Sequence, residues 1–318
     1  MTNYKLINNI TGWIVFIVAG FTYIMTIEPT ASLWDCGEFI ASSYKLEIGH
    51  PPGNPVFMVI ARFFTLFAGS NESNVAAMVN AMSALASAFT VLFLFWTITH
   101  LARKILFNSE SHITKSRIVA VMGAGITGAL AFTFSDSFWF SAVEGEVYAT
   151  SSLFTAVVFW AILKWEDVAD EEYADRWLIF IAFLMGLSIG VHLLNLLALP
   201  AIVLVYYFRK YKFTGKGFLL SLGISFLLLG LLLYGIMPGL VTLSSKLDLF
   251  FVNSLGLFPN SGIIFHAVLL TIFFILAIRA VLHSADKIRI TILSAGALLL
   301  TGIWIISSSA LLNTLVLA

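Results

Sequence analysis

The sequence predicts an all-α, polytopic membrane protein, and three observations support this fold class. Hydrophobic residues make up 60% of the 318 residues and charged residues only 11%, whereas soluble domains carry about 25% charged residues. The mean hydropathy is +0.98, and several apolar runs approach the roughly 20 residues that a helix needs to cross a bilayer. Lys+Arg and Asp+Glu are both 17, so no basic surface is available and nucleic acid is excluded as a partner.

Eight apolar runs define the predicted membrane helices. In chain order they cover residues 9–27, 75–101, 118–134, 148–163, 177–208, 217–237, 263–281 and 290–318. The run 177–208 has charged residues at both ends, which predicts a hairpin of two short helices that turns near Val191 and His192. Counting this hairpin as two gives about nine transmembrane helices in a single membrane domain, residues 1–318.

The distribution of Lys and Arg predicts the orientation, because cytoplasmic loops collect these residues. Placing Lys5 in the cytoplasm leaves only three of the 17 basic residues, Lys45, Arg62 and Lys246, on the other side. The apolar stretch 55–68 is too short to span the bilayer and carries Arg62. We therefore expect it to lie along the outer face or to re-enter it.

Three predicted extracytoplasmic connections are unusually acidic. We call residues 28–74, 135–147 and 238–262 the first, second and third loop segments. They hold nine of the 17 acidic residues: Glu28, Asp35, Glu38, Glu47, Glu72, Asp136, Glu144, Glu146 and Asp248. Most of the others lie in WEDVADEEYADR, residues 165–176, which is typical of a solvated charged loop and receives no functional role. The one cysteine, Cys36, excludes an intramolecular disulfide, and we expect a small buried side chain.

The first loop segment is expected to place two carboxylates on one side of a short surface helix. A helix over residues 33–45 puts Asp35 and Glu38, three positions apart, on the same face. Trp34 and Phe39 would then anchor this helix in the headgroup region. Neighbouring carboxylates repel each other and raise one pKa, which suits a general base.

A proline turn follows this helix. The string His50-Pro51-Pro52 must end the helix, because proline lacks an N–H donor and disfavours α geometry in the preceding residue. This turn is expected to hold His50 at a fixed place near the carboxylates. The alternative is structural: Asp35 caps the helix, Glu38 is solvated and His50 packs in the turn.

The second loop segment, within FSDSFWFSAVEGEVYATSSLF, precedes a helix predicted to begin near Tyr148. Glu144 and Glu146 would diverge on a helix, so we expect one of them to point towards the centre of the protein. The alternative is that both acids simply favour a helix N-terminus, where negative charge suits the macrodipole.

Polar residues also occur at membrane depth, in GLSIGVHLLNLLALP. Residues 177–190 would rise only about 21 Å as a helix, so His192 and Asn195 are expected below the outer surface, facing a cavity or a partner. The alternative for His192 is a core histidine bonded to a carbonyl. Gly186 and Gly190 form a small-xxx-small pair that predicts close helix packing.

The third loop segment, which contains Asp248, Asn253 and Asn260, is expected to be a plain connecting loop. The alternative is that it closes over a site.

The competing functional class is an ion-coupled membrane transporter. That class predicts acids in mid-membrane and inverted repeats, whereas the acids of this chain cluster in the loop segments and no internal repeat is visible. Nucleotide-binding P-loops and HExxH zinc motifs are also absent from the sequence. The residue pattern therefore disfavours a transporter. A non-catalytic scaffold would explain the apolar bulk of the chain but not the clustered carboxylates.

The order of five strings carries a family resemblance. The strings WDCGEF, HPPGNP, SAVEGEVYA, GVHLLNLLALP and FFVNSLGLFPNSG resemble a polytopic family formerly catalogued as a domain of unknown function. That family includes protein O-mannosyltransferases and is similar to the GT-C class of lipid-linked-sugar glycosyltransferases. The resemblance implies a GT-C-like helical bundle in the bacterial inner membrane, with the catalytic acid in the first loop segment. It also implies a longer protein with a soluble region after the membrane part.

The resemblance further implies a reaction. The donor would be mannose or another hexose on a polyprenyl phosphate, and the acceptor a Ser or Thr hydroxyl of an exported protein. Asp35 would be the general base, Glu38 would orient it or bind the sugar, and transfer would proceed with inversion. The expected substrate-binding residues are His50, Arg62, Glu144, Glu146, Tyr148, His192 and Asn195.

The leaving phosphate needs electrostatic stabilisation, and two sources remain open. The basic candidates are His50, His192, Arg62 and Lys45. The alternative is a divalent cation, Mg²⁺ or Mn²⁺, held by Asp35, Glu144 or Glu146. The sequence does not choose between these sources.

Overall fold

The computed structural model describes residues 2–51, 53–107 and 114–283, and within these ranges it is helical and contains no strand. The helices are α1 Thr2–Met25, α2 Cys36–Lys45, α3 Pro55–Thr65, α4 Val75–Leu106, α5 Lys115–Thr133, α6 Asp136–Ala142, α7 Val147–Val168, α8 Arg176–Ile189, α9 Leu199–Lys210, α10 Gly215–Gly230, α11 Met237–Asn253 and α12 Ser261–His283. The prediction of an all-α protein is confirmed.

The chain divides into two compact units. The first contains Met1–Gly49 and Phe57–Leu163, and the second contains His50–Val56 and Lys164–Ala318. The core of the first unit lies among α1, α4, α5 and α6, where small residues such as Ala19, Ala84 and Ala88 are fully buried. Small side chains let helix backbones approach closely, which drives helix association in lipid.

The second unit contains the predicted break in the apolar run 177–208. Helix α8 ends at Ile189, a 3₁₀ segment covers Leu193–Ala198, and α9 follows. Gly190 is required here, because a Cβ at this position would meet the side chain of Val56. The backbone N–H of Val56 also donates to the Gly190 carbonyl at 2.9 Å. The prediction of close packing at Gly190 is confirmed, with the start of α3 as the neighbour.

Six helices in the described ranges are long and apolar enough to cross a membrane, and the chain is a multi-pass membrane protein. The expected number of about nine is not confirmed. Helix α8 and the apolar part of α12 are shorter than a full span. The predicted span 290–318 lies outside the described residues.

The third loop segment differs most from its prediction. Helix α10 continues through a π-helical stretch, Leu231–Ile236, into α11, so helical structure extends to Asn253. Pro238 directly follows the π-helical stretch inside this continuous helix, where its missing N–H removes one helical hydrogen bond. The expectation of a connecting loop over 238–262 is therefore wrong for most of its length.

Candidate active site

The first loop segment forms the predicted short helix, α2, which begins at Cys36. Asp35 precedes the helix, but its side chain makes no capping hydrogen bond. Asp35 and Glu38 are both exposed, and a carboxylate oxygen of one lies within 4.8 Å of a carboxylate oxygen of the other. The structure therefore places these two acids on one accessible face at the start of α2.

The two aromatic residues of WDCGEF face different surroundings. Trp34 has a positive φ of 62° and its side chain is 86% exposed. Phe39 is buried, and its ring centroid lies 5.5 Å from that of Phe57. The predicted membrane anchor at Phe39 is therefore wrong, because the buried face of α2 contains Cys36, Phe39 and Ile40.

Glu144 and Glu146 lie in a bend between α6 and α7, which we call the acidic bend, residues 143–146. Each glutamate is only 4% exposed. We expected one of them to point inward, and both glutamates are buried. Neither residue is helical, and the Glu146 N–H donates to the Glu144 carbonyl at 2.9 Å, so the tight bend turns both side chains inward.

Both buried glutamates accept hydrogen bonds from the first loop segment. The Ser32 hydroxyl donates to Glu144 Oε2 at 2.5 Å. The Cys36 thiol donates to Glu146 Oε1 at 3.7 Å, and the backbone N–H of Val147 donates to the other Glu146 oxygen at 3.3 Å. Carboxylates at this depth need such partners, because an unpaired buried charge is costly.

Burial changes the acidity of this cluster. Desolvation raises the pKa of Glu146, and the nearby charges of Asp35 and Glu144 raise it further, against the lowering effect of its hydrogen bonds from Val147 and Cys36. Desolvation also raises the pKa of the Cys36 thiol to about 12, with a further contribution from the two glutamates. Cys36 is therefore a neutral, buried thiol, and its predicted burial is confirmed.

Asn80, a polar residue near the beginning of the apolar run 75–101, fixes the start of the first loop segment. Its Nδ2 donates to the carbonyls of Glu28, at 2.5 Å, and Thr30, at 3.0 Å. The Glu28 N–H in turn donates to the carbonyl of Val143 at 3.0 Å. The segment is thus tied at both α4 and the acidic bend.

Gly145 allows the acidic bend to approach α4 and α2. A Cβ at this position would lie 2.9 Å from Asn80 Oδ1, 3.1 Å from Val79 and 3.2 Å from Ile40. Real Cβ atoms do not pack at the first of these distances. Ser32, Asn80 and Gly145 were missed by sequence reasoning, although an asparagine inside an apolar run is a signal that was available.

The remaining predicted residues occupy several places. Arg62 donates to the Tyr44 carbonyl at 2.6 Å and to the Thr65 hydroxyl at 3.1 Å, so it holds the C-terminal end of α2. Lys45, on that same end, lies 4.0 Å from a Glu47 carboxylate oxygen. Tyr148 is exposed in the first turn of α7.

Three further predicted residues belong to the second compact unit. His50 is exposed, and its carbonyl accepts from the Gly53 N–H at 2.9 Å in the predicted turn. The Nδ1 atom of His192 accepts from the Leu194 N–H at 3.2 Å, so this histidine caps the 3₁₀ segment. Asn195 is buried in that segment.

Comparison with known proteins places this site in a family. A family described as the protein O-mannosyl-transferase TMEM260 N-terminal domain matches residues 35–215, more than half of the chain. The chain belongs to this family. The resemblance to a family that includes protein O-mannosyltransferases is confirmed, and the matched region includes α2 and the acidic bend.

Two curated relatives are similar to this chain. The protein O-mannosyl-transferase tmem260 of Dictyostelium discoideum is 26% identical over 237 residues, which cover 72% of this chain and 26% of the relative. The mouse protein O-mannosyl-transferase TMEM260 is 28% identical over 176 residues, 55% of this chain and 22% of the relative. The chain thus spans about a quarter of the length of these relatives. No solved structure matches it significantly.

Proposed function

We propose that this chain is the membrane part of a GT-C-type glycosyltransferase that moves a hexose, preferably mannose, from a polyprenyl phosphate to a Ser or Thr hydroxyl of an exported protein. The observation that carries the proposal is the exposed pair Asp35 and Glu38 at the start of the region that matches the family. A hydroxyl acceptor needs a base that substrates can reach, and these two carboxylates are accessible.

In the proposed reaction, Asp35 accepts the proton of the acceptor hydroxyl as that oxygen attacks the anomeric carbon. The bond from this carbon to the phosphate oxygen breaks, and the polyprenyl phosphate leaves with the bonding electrons. A single displacement with one base opposite the leaving group inverts the anomeric configuration. Glu38 orients Asp35 or binds a sugar hydroxyl, and the reaction takes place on the extracytoplasmic face with the N-terminus in the cytoplasm.

The leaving phosphate needs positive charge, and the two candidate sources respond differently to chelation. His50, His192, Arg62 and Lys45 act without metal. Mg²⁺ or Mn²⁺ would instead bind carboxylate oxygens, which hard cations prefer, either those of Asp35, Glu144 or Glu146 or those of the exposed pair Asp35 and Glu38. Transfer that survives EDTA assigns the charge to the basic side chains. Transfer that is lost in EDTA and restored by Mn²⁺ assigns it to a cation.

The deciding experiment supplies radiolabelled polyprenyl-phosphate mannose and exported-protein acceptor to membranes that contain the chain. We expect wild type to move label onto protein and Asp35→Asn to lose transfer. Asp136→Asn, an exposed acid outside the site, is the matched control and should retain transfer. Equal transfer by wild type and Asp35→Asn removes Asp35 from the mechanism. No transfer by wild type contradicts the proposal, and no transfer by a full-length relative favours an ion-coupled transporter.

A further inference from the structure

The hydrogen bonds between the first loop segment and the acidic bend are not used by the proposed chemistry. They join two stretches of chain more than 100 residues apart in sequence. On the side of the first loop segment, Ser32 and Cys36 flank Asp35. On the other side, Glu144 and Glu146 are buried and accept from these residues, so their carboxylates face the loop.

Ser32 provides the most specific of these contacts. Its hydroxyl has one proton, and Glu144 Oε2, at 2.5 Å, is a stronger acceptor than Cys36 Sγ, which lies 3.0 Å away. The Ser32–Glu144 bond therefore closes the loop immediately before Asp35. A bond to a buried carboxylate is stronger than one between neutral groups.

The other contacts hold the same stretch from different directions. The Cys36 thiol, directly after Asp35, is 0% exposed and reaches Glu146. Asn80 binds the carbonyls of Glu28 and Thr30. Asp35 makes no capping bond of its own, so its position is fixed by these flanking contacts.

We propose that the acidic bend is a positioning device, in which Glu144, through Ser32, and Glu146, through Cys36, hold Asp35 in the orientation that its reaction needs. Ser32 and Asn80 are further positioning residues of the same device. The catalytic role of Asp35 rests on the proposed function. The hydrogen bonds that hold the first loop segment in place do not depend on that function. Burial and these hydrogen bonds favour positioning over sugar binding for the two glutamates.

The Cys36 thiol can report whether these hydrogen bonds hold the first loop segment in place. Cys36 is the only cysteine in the sequence, it is buried beside the Ser32–Glu144 bond, and N-ethylmaleimide modifies a buried thiol only when the structure opens locally. Labelling of Cys36 in native membranes, measured against complete labelling in detergent-denatured protein, reports the opening of the loop. This labelling measurement requires no enzymatic activity.

Ser32→Ala and Ser32→Thr form the matched pair. We expect Ser32→Ala to accelerate Cys36 labelling about tenfold to a hundredfold, the factor for losing a hydrogen bond to a charged group. Ser32→Thr keeps the hydroxyl and should label at nearly the wild-type rate. Glu47→Gln, an exposed acid in the same segment, should also leave the rate unchanged.

A second thiol separates local opening from unfolding. The same Ser32 variants are made with Cys36→Ser and Ala84→Cys, which moves the single thiol into the buried core of the first unit. This thiol should stay protected in Ser32→Ala. The positioning role is wrong if Cys36 is labelled at the same rate in wild type and Ser32→Ala. It is also wrong if Ser32→Ala accelerates labelling of the core thiol as much as labelling of Cys36.

The transfer assay supplies a third readout. We expect Ser32→Ala to lower kcat with little change in the KM for the donor, and Ser32→Thr to restore kcat, because a misplaced base slows the chemical step but not binding. A raised KM with normal kcat contradicts positioning. Failure of wild-type transfer contradicts the proposed function alone, since the labelling result stands without it.

Discussion

The two carboxylate pairs of the first unit, Asp35 with Glu38 and Glu144 with Glu146, have the same chemistry but different surroundings. The first pair is exposed at the start of α2, whereas each member of the second pair is 4% exposed and accepts hydrogen bonds from the loop that carries the first. Acidic residues that cluster in the sequence therefore need not share one role. Accessible carboxylates can meet a reactant, while buried ones must be satisfied by the protein.

The largest expected effect tests the exposed pair. Asp35→Asn removes the proposed base and should lower the rate of mannose transfer by about 10²–10⁴-fold, the contribution typical of general base catalysis. The measurement is kcat in membranes with saturating donor. Glu144→Gln, which keeps an acceptor oxygen for Ser32, should lose far less. A larger loss of kcat in Glu144→Gln than in Asp35→Asn would contradict the assignment of catalysis to the exposed pair.

Glu38→Gln sharpens the comparison within the exposed pair. In the proposed reaction Glu38 orients Asp35 or binds the sugar and does not take the proton. We therefore expect Glu38→Gln to lower the transfer rate roughly tenfold, the size of one hydrogen bond. The kinetics of transfer in Glu38→Gln and Asp35→Asn, measured side by side, check this order. An effect of Glu38→Gln equal to that of Asp35→Asn would make Glu38 an equal candidate for the base.

Gly145→Ala tests the packing of the buried pair. Its Cβ would meet Asn80, Val79 and Ile40 at 2.9–3.2 Å, and overpacking of this kind typically costs about 1–3 kcal/mol. Thermal unfolding in detergent should therefore show a lower midpoint for Gly145→Ala. Gly123→Ala is the matched control, because nothing lies within 4 Å of its Cβ. Equal midpoints for the two variants would show that the acidic bend has room to relax.

The smallest expected effect concerns the protonation of the buried pair. The pKa of Glu146 in the folded protein is raised above the ordinary value of 4.5. The protonated side chain therefore contributes its full stabilising free energy below pH 4.5, and this contribution is lost as the pH rises through the raised pKa. Glu146→Gln cannot ionise, so its unfolding midpoint should fall less than that of wild type as the pH increases from 4.5 to 8. Parallel pH profiles for the two proteins would contradict burial as the cause.

Much of the fold and part of the site could be predicted from local sequence. The apolar runs predicted α1, α4, α5 and α7, because a span needs length and hydrophobicity, and both are properties of consecutive residues. Helix α2 and the shared face of Asp35 and Glu38 followed from helical spacing. The break near Val191 and His192 followed from a run too long for one short helix with charges at both ends.

Other features depend on contacts that spacing does not encode. The third loop segment is mostly helical because a π-helical stretch joins α10 to α11 in place of a turn at Pro238. Phe39 is buried because Phe57 packs against it. Neither outcome can be derived from composition, since each depends on which neighbour occupies the adjacent space.

Local sequence was enough to predict that this protein is helical, crosses the membrane several times and has an acid-rich loop with Asp35 and Glu38 close together at the start of a short helix. Only the tertiary structure decided which acids are accessible and which are buried. Glu144 and Glu146 meet Ser32 and Cys36 across more than 100 residues of chain. The physical reason is that the free energy of a carboxylate depends on the water and hydrogen-bond donors around it, and these are arranged by the fold.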